Sequence, residues 1–258
     1  MYSALHAFFS DKKSDDIFTL FGFWHFFYIA IALVTILTIL FVFKNKERSQ
    51  QQKVARLFVF VAFGLYIADF FLMPFAYGEI DIEKLPFHAC TAMCVMCFIS
   101  YCVPALEKYR TSFAMLGLLS NLVYILYPAG VMWYGIHPLS YRVVQTLLFH
   151  AAMTIYGVLV LVYERERLDI KKCYRSLLVT ACMVLWAMIG NYTYSGAADG
   201  YSRSFNWFFA IYDPLNLFPG AISPYIMPWL NIVLFFAAEM LIYCIVLISK
   251  KIQKRAVL

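Results

Sequence analysis

The sequence predicts an all-α, polytopic integral membrane protein with seven transmembrane helices, its N-terminus outside and its C-terminus cytoplasmic. Three observations carry that prediction. Of 258 residues, 63% are hydrophobic and only 14% charged, where soluble domains run at roughly 45–50% and about 25%, and mean hydropathy is +0.73. Apolar runs of membrane-crossing length recur along the chain. Lys and Arg gather in alternate connections between them. An ordinary globular or disordered chain is excluded. The net charge of +6 does not point to nucleic acid, because basic residues placed between apolar runs act as topology signals and lipid-headgroup contacts.

A helix needs about 20 apolar residues to cross about 30 Å of hydrocarbon. Such runs lie at about 17–43, 56–77, 85–106, 111–134, 139–163, 176–194 and 224–249, and form one transmembrane domain over 1–258. The first holds a single ionisable residue, His25. It is too long for a secretory signal peptide and ends in no small-residue cleavage site, so it is read as a helix that stays. Pro128 and Gly130 mark an early end to the fourth.

With the N-terminus outside, the inner segments hold Lys44, Lys46, Arg48, Lys53, Arg56, Lys108, Arg110, Arg165, Arg167, Lys171, Lys172, Arg175, Lys250, Lys251, Lys254 and Arg255, sixteen of the 21 basic residues. The outer segments hold Lys12, Lys13, Lys84, Arg142 and Arg203, and the outer 78–84 loop is acidic. This alternation fixes the predicted orientation. The longest loop, 195–223, carries Trp207, Phe208, Phe209, Tyr212 and Phe218. It reads either as a cap over the outer helix ends or as a plain aromatic belt. None of the seven cysteines lies in an outer loop, so no disulfide framework is expected.

Polar side chains inside a span are costly and are functional candidates by default. These are His25, Asp69, His88, Cys90, His150, Asn191 and Glu239, with Tyr141 and Arg142 at an outer helix mouth. All but Glu239 fall at the midplane or in the outer half, which predicts a polar cavity open outward. His25, among Trp24, Phe26 and Phe27, reads as an interfacial neighbour of aromatic residues. Asp69 is expected to pair with a histidine or Arg142. His88 follows Leu85-Pro86-Phe87 and opens a helix, where exposed N–H groups favour an anion or thiolate. His150, near mid-membrane with no local partner, needs a buried hydrogen bond. Asn191 and Tyr192 end the sixth run, where an amide either binds ligand or joins helices. Glu239 reads as a packing residue on the inner side.

Cys90, Cys94 and Cys97 share one helix face at i, i+4 and i+7, but His88 lies on another side and no second ligand pair has metal spacing. They read as small packing residues, with Cys90 set apart by its place in the first turn. No metal or cofactor is expected. The chain has no nucleophile-elbow serine, zinc-protease helix, phosphate-binding loop or dinucleotide fingerprint.

Leu85-Pro86-Phe87-His88-Ala89-Cys90 resembles the LPLHLC helix start of the bacterial YwaF-type integral membrane proteins. Leu147-Leu148-Phe149-His150 resembles that family's FFLxH, and Asn191-Tyr192-Thr193-Tyr194 its NYxYL. The resemblance runs over roughly 20–245. A related vertebrate branch moves fatty acyl chains between phospholipid and lysophospholipid. The resemblance implies His88 and His150 as acid–base residues and Cys90 as the candidate nucleophile. If that family's nucleophile stands just before the histidine, this chain has Phe87 there, and Thr91 is the fallback hydroxyl. Asn191, Tyr192, Arg142 and Asp69 would line the substrate site, Arg142 suiting a lipid phosphate. The sequence thus points to a multi-pass enzyme of the cell membrane whose partners are membrane lipids, acting by acyl transfer or hydrolysis. A transporter or membrane substrate-binding component for a small amphiphile is the alternative, and a scaffold or sensor the third.

Overall fold

The computed structural model describes residues 8–9, 15–78, 82–132, 135–195 and 205–256. Lys12, Lys13 and Arg203, residues 79–81 of the acidic loop, 133–134 of the fourth predicted run and 196–204 of the long loop lie outside them. The described residues are helical, without a β-strand. They form α1 (Phe23–Phe43), α2 (Arg48–Tyr77), α3 (Ala89–Cys102), α4 (Arg110–Leu126), α5 (Tyr141–Tyr163), α6 (Tyr174–Thr193) and α7 (Ser223–Ala256).

Among the described residues six segments are long and apolar enough to cross a membrane, built on α1, α2, α4, α5, α6 and α7. The third predicted run is different. In place of a helix over 85–106 stands α3, 14 residues long, with a rise of about 21 Å. Pro104 sets its end. A proline removes a backbone donor and crowds the turn before it, and it disfavours the α region for the preceding residue. Val103 is accordingly extended, at φ −115° and ψ 105°, and Pro104–Tyr109 follows as a 3-10 turn. The fourth run ends early, as Pro128 foretold. α4 stops at Leu126 and one more helical turn, Ala129–Met132, follows. Conversely, α2 starts eight residues before its apolar run. Its opening is rich in Gln, Lys and Arg, which hydropathy ignores but helices accept.

Contacts divide the chain into two compact units. The first comprises residues 1–82 and 117–163, and α5 is its centre. Of the most apolar stretch of α5, 83% is buried, against 11% for α1. Small residues on α5 permit this close approach. Ala151 packs with Ala32 and Ile125, and Val143 and Leu147 pack with Phe18, Tyr28, Val131 and Ile136. α1 leaves Phe23, Val34, Leu37 and Phe41 exposed, a surface suited to lipid.

The second unit comprises residues 83–116 and 164–258. Ala92, Cys94 and Cys97 are buried on α3, and none of the seven cysteines forms a disulfide. Near Pro104 an ion-pair network closes one end of this unit. Arg110 Nη1 lies 3.7 Å from Glu164 and 3.8 Å from Glu107. Arg167 reaches Glu107 at 2.8 Å and Glu164 at 3.2 Å. Arg110 also donates to the Ser100 carbonyl at 3.0 Å and lies 4.0 Å from the Tyr101 ring centroid. The Arg110 and Glu164 side chains are only 9% and 2% exposed. Removing one member of a buried pair strands the other charge. Glu164→Gln or Arg110→Met alone should therefore destabilise by about 1–3 kcal/mol, less than for an isolated buried pair, because Arg167 still faces Glu164 and Glu107 still faces Arg110. The double variant should be markedly milder than the sum, as read by thermal unfolding in detergent.

Candidate functional site

In the second unit the site forms where the start of α3 meets the aromatic loop. His88 is the N-cap residue of α3, with φ −75° and ψ 144°. Its carbonyl accepts the Ala92 N–H at 2.9 Å and the Thr91 hydroxyl at 3.1 Å. Its Nδ1 accepts the Phe208 N–H across a long 3.5 Å, which assigns the proton of the neutral ring to Nε2. Cys90, half-buried, sits in the first turn of the same helix.

Phe87 orders this corner. Its ring stacks on Trp186 at 4.9 Å and lies 4.8 Å from Trp207. A Cβ on Gly190 would lie 2.4 Å from that ring. Glycine is thus required for α6 to pass Phe87. Trp186 Nε1 donates to the Pro86 carbonyl at 2.7 Å.

The loop is clamped by two asparagines. Asn191 is fully buried. It accepts the Trp207 N–H at 2.8 Å and donates to the Trp207 carbonyl at 3.1 Å. Asn231 Nδ2 donates to the Phe208 and Phe209 carbonyls at 2.9 and 3.0 Å. Phe208 and Phe209 have φ of 56° and 50°, a left-handed conformation that surrounding bonds must hold for non-glycine residues. Further along, the Asp213 carboxylate accepts the N–H groups of Leu215, Leu217 and Phe218. Tyr192, beside Asn191, is exposed at 59%.

The first unit holds the other predicted residues. His150 is buried, and its Nδ1 lies 2.8 Å from the Thr146 carbonyl. A carbonyl only accepts, so Nδ1 carries the proton and Nε2 the lone pair. The Tyr124 ring stacks on the imidazole at 3.8 Å. His25 is fully buried. Its Nδ1 accepts the Phe21 N–H at 3.0 Å, and its Nε2 donates to the Ile125 carbonyl at 2.7 Å. Asp69, expected to pair with a histidine or Arg142, accepts the Tyr141 hydroxyl at 2.9 Å. Arg142 is the next residue, half-buried in the first turn of α5.

His88, Cys90, Asn191 and Tyr192 therefore lie in one unit, and His150, Asp69, Tyr141 and Arg142 in the other. Sequence reasoning missed Asn231, Gly190 and the Trp207–Phe209 backbone. An asparagine at 231, early in the last apolar run, was the available signal. Glu239, read as a packing residue, is fully buried and accepts the Thr180 hydroxyl at 3.2 Å. Among the described residues no cluster of three His, Cys, Asp or Glu side chains has metal-site geometry.

Two identical substitutions should separate the role of Gly190 from that of an ordinary helical glycine. Gly190→Ala must displace a ring already held against two tryptophans, and should cost about 1–3 kcal/mol. Gly64→Ala in α2, with nothing within 4 Å, should be neutral or stabilising. Tryptophan-fluorescence melting in detergent compares the two.

A sequence model of the TMEM164 family matches residues 20–249. No curated protein and no solved structure matches the chain. The matched stretch takes in every site residue described above and all but the last residue of the six candidate crossing segments, and the chain belongs to the TMEM164 family, a family of membrane proteins.

Proposed function

We propose that this protein is a lipid-active membrane enzyme that transfers or hydrolyses the acyl chain of a phospholipid or lyso-lipid ester. It acts in the cell membrane, crosses it seven times with its N-terminus outside, forms one transmembrane domain and uses no cofactor. In that arrangement α3, with about 21 Å of rise, and its following 3-10 turn, with about 12 Å, supply the third crossing. The resemblance to YwaF-type proteins and their acyltransferase relatives supports this reading.

The observation that carries it is the orientation of His150. Acyl-transfer enzymes hold a histidine by one N–H on a fixed acceptor so that the opposite nitrogen takes the nucleophile's proton. The Thr146 carbonyl is such an acceptor for Nδ1. In the proposed cycle Nε2 of His150 removes the proton of an acceptor hydroxyl or water. The resulting anion adds to the ester carbonyl. Collapse of the tetrahedral intermediate expels the lyso-lipid alkoxide, which takes the proton back from the imidazolium. Arg142 takes the headgroup phosphate, and Asp69 steadies Tyr141 beside it. In the second unit Cys90 is the candidate nucleophile of a thioester route, His88, with its proton on Nε2, the candidate donor to a developing oxyanion, and Tyr192 a headgroup contact, while Asn191 shapes the loop by holding Trp207.

One observation favours the alternative, transport of a small amphiphile. Thr180, Ser176, Ser112 and Glu239 give the second unit more buried polar surface than its apolar sequence implies.

The two readings part on turnover. Purified protein in vesicles, given an acyl-labelled phospholipid and a lyso-lipid acceptor, should form transacylated lipid detectable by mass spectrometry. His150→Gln should lower the rate by about 100-fold or more, with unchanged melting. Loss in Cys90→Ala assigns the thiol route, and retention assigns direct attack by the acceptor. Absence of turnover with any acceptor, from folded protein that takes up amphiphile, would replace the enzyme reading with transport.

A further inference from the structure

We infer that Glu239 is a proton-binding site within the membrane-crossing part of the second unit, its carboxyl protonated on Oε1 and hydrogen-bonded through Oε2 to Thr180. The site stands independently of the acyl-transfer reading.

Glu239 lies near the middle of α7, eleven residues before Lys250, or about 16 Å along the helix. It is fully buried. Its Oε2 accepts the Thr180 hydroxyl at 3.2 Å, and its Oε1 meets no hydrogen-bond partner. No Lys, Arg or His pairs with it among the described residues. A carboxylate offers about four acceptor sites, and here it meets one hydroxyl donor and no counter-charge. A charge so placed costs several kcal/mol in hydrocarbon. Taking up a proton removes that cost and turns the empty Oε1 into an O–H.

The surroundings lead away from Glu239 in one direction. One turn on along α7 is Tyr243, 3% exposed. One turn back along α6 from Thr180 is Ser176, which donates to Ser112 on α4 at 3.1 Å. The titratable and charged groups along this face are therefore Tyr243 on α7 itself, and Cys173 and Arg175 at the start of α6, both close enough to act electrostatically on Tyr243. From α4 the face receives only the Ser112 hydroxyl. The Arg175 guanidinium is engaged by the Lys108 carbonyl at 3.0 Å. Thr180, Ser176 and Tyr243 thus place hydroxyl-bearing residues on the side of Glu239 that faces the helix end carrying Arg175, and the unpartnered Oε1 remains the feature a bound proton would satisfy.

Infrared absorption of the protein in vesicles reads the proton directly. At neutral pH the wild type should show a carboxylic-acid C=O stretch that Glu239→Gln lacks. Raising the pH should convert that stretch to a carboxylate band. Thr180→Val should shift it to higher frequency by removing a hydrogen bond, and Thr180→Ser should restore it. The pH titration and the Thr180 shift are both read with Glu239 present, so they stand even if Glu239→Gln fails to fold. A carboxylate at Glu239 at neutral pH, with or without added sodium salt, overturns the inference. So does an acid band that neither Glu239→Gln nor Thr180→Val alters.

Discussion

A helix leaves its last carbonyls without partners, and hydrocarbon cannot hydrate them. That constraint organises this protein. Again and again a side chain from another element supplies the missing donor. His25 serves Ile125 near the end of α4, and Gln51 serves Phe43 at the end of α1. Arg110 serves Ser100 in the last turn of α3. Arg175 serves Lys108 and Lys250 serves Leu168 in the 3-10 connections. The same rule builds the aromatic loop, where Asn191 and Asn231 bond the carbonyls of Trp207, Phe208 and Phe209. Each such bond fixes two elements at once, so the connections are as firmly specified as the helices.

The constraint also sorts the histidines, which a sequence presents as equals. His25 has both ring nitrogens committed to backbone groups, so its chemistry is spent on joining α1 to α4. His150 commits one nitrogen to a carbonyl, and His88 commits one to an N–H. Their neutral rings consequently have opposite tautomers: the second nitrogen of His150 is a base, and that of His88 a donor. A backbone carbonyl can select only the first state and a backbone N–H only the second. The identity of the backbone partner thus determines what each ring offers to a ligand.

What was legible in the sequence follows the range of each interaction. Spans are local sums of hydropathy, and α1, α5, α6 and α7 fall close to the apolar runs. The end of α4 was legible in Pro128. The shortness of α3 was equally local, written in Pro104, but a long apolar run masked a stereochemical stop. The clamp on the loop was not legible, because Asn231 meets its partners 22 and 23 residues away and nothing in an apolar run names the carbonyl an amide will find. Asp69 was rightly seen to need a partner. One partner is Tyr141, 72 residues on, a residue the sequence marked at the outer mouth of α5 without naming the acid it would meet.

Arg110 shows why one residue can support two separate arguments. The positive-inside rule counts Lys and Arg near the ends of helices and gives little weight to acids, because orientation is decided during insertion. In the folded chain Glu164 and Glu107 flank Arg110 at 3.7 and 3.8 Å, and its charge no longer faces a lipid surface. The proposed orientation still rests on that arginine, since its ion pairs join segments far apart in sequence and require both to be in place. Its contribution to the folded unit is a separate one, made to Glu164 just beyond the end of α5. Arginine suits both tasks for one reason: its guanidinium stays charged in either setting and offers five donors in a rigid fork. Here that fork reaches a carbonyl and two carboxylates, and a lysine at 110 would keep the topology signal while losing the geometry that closes this end of the unit.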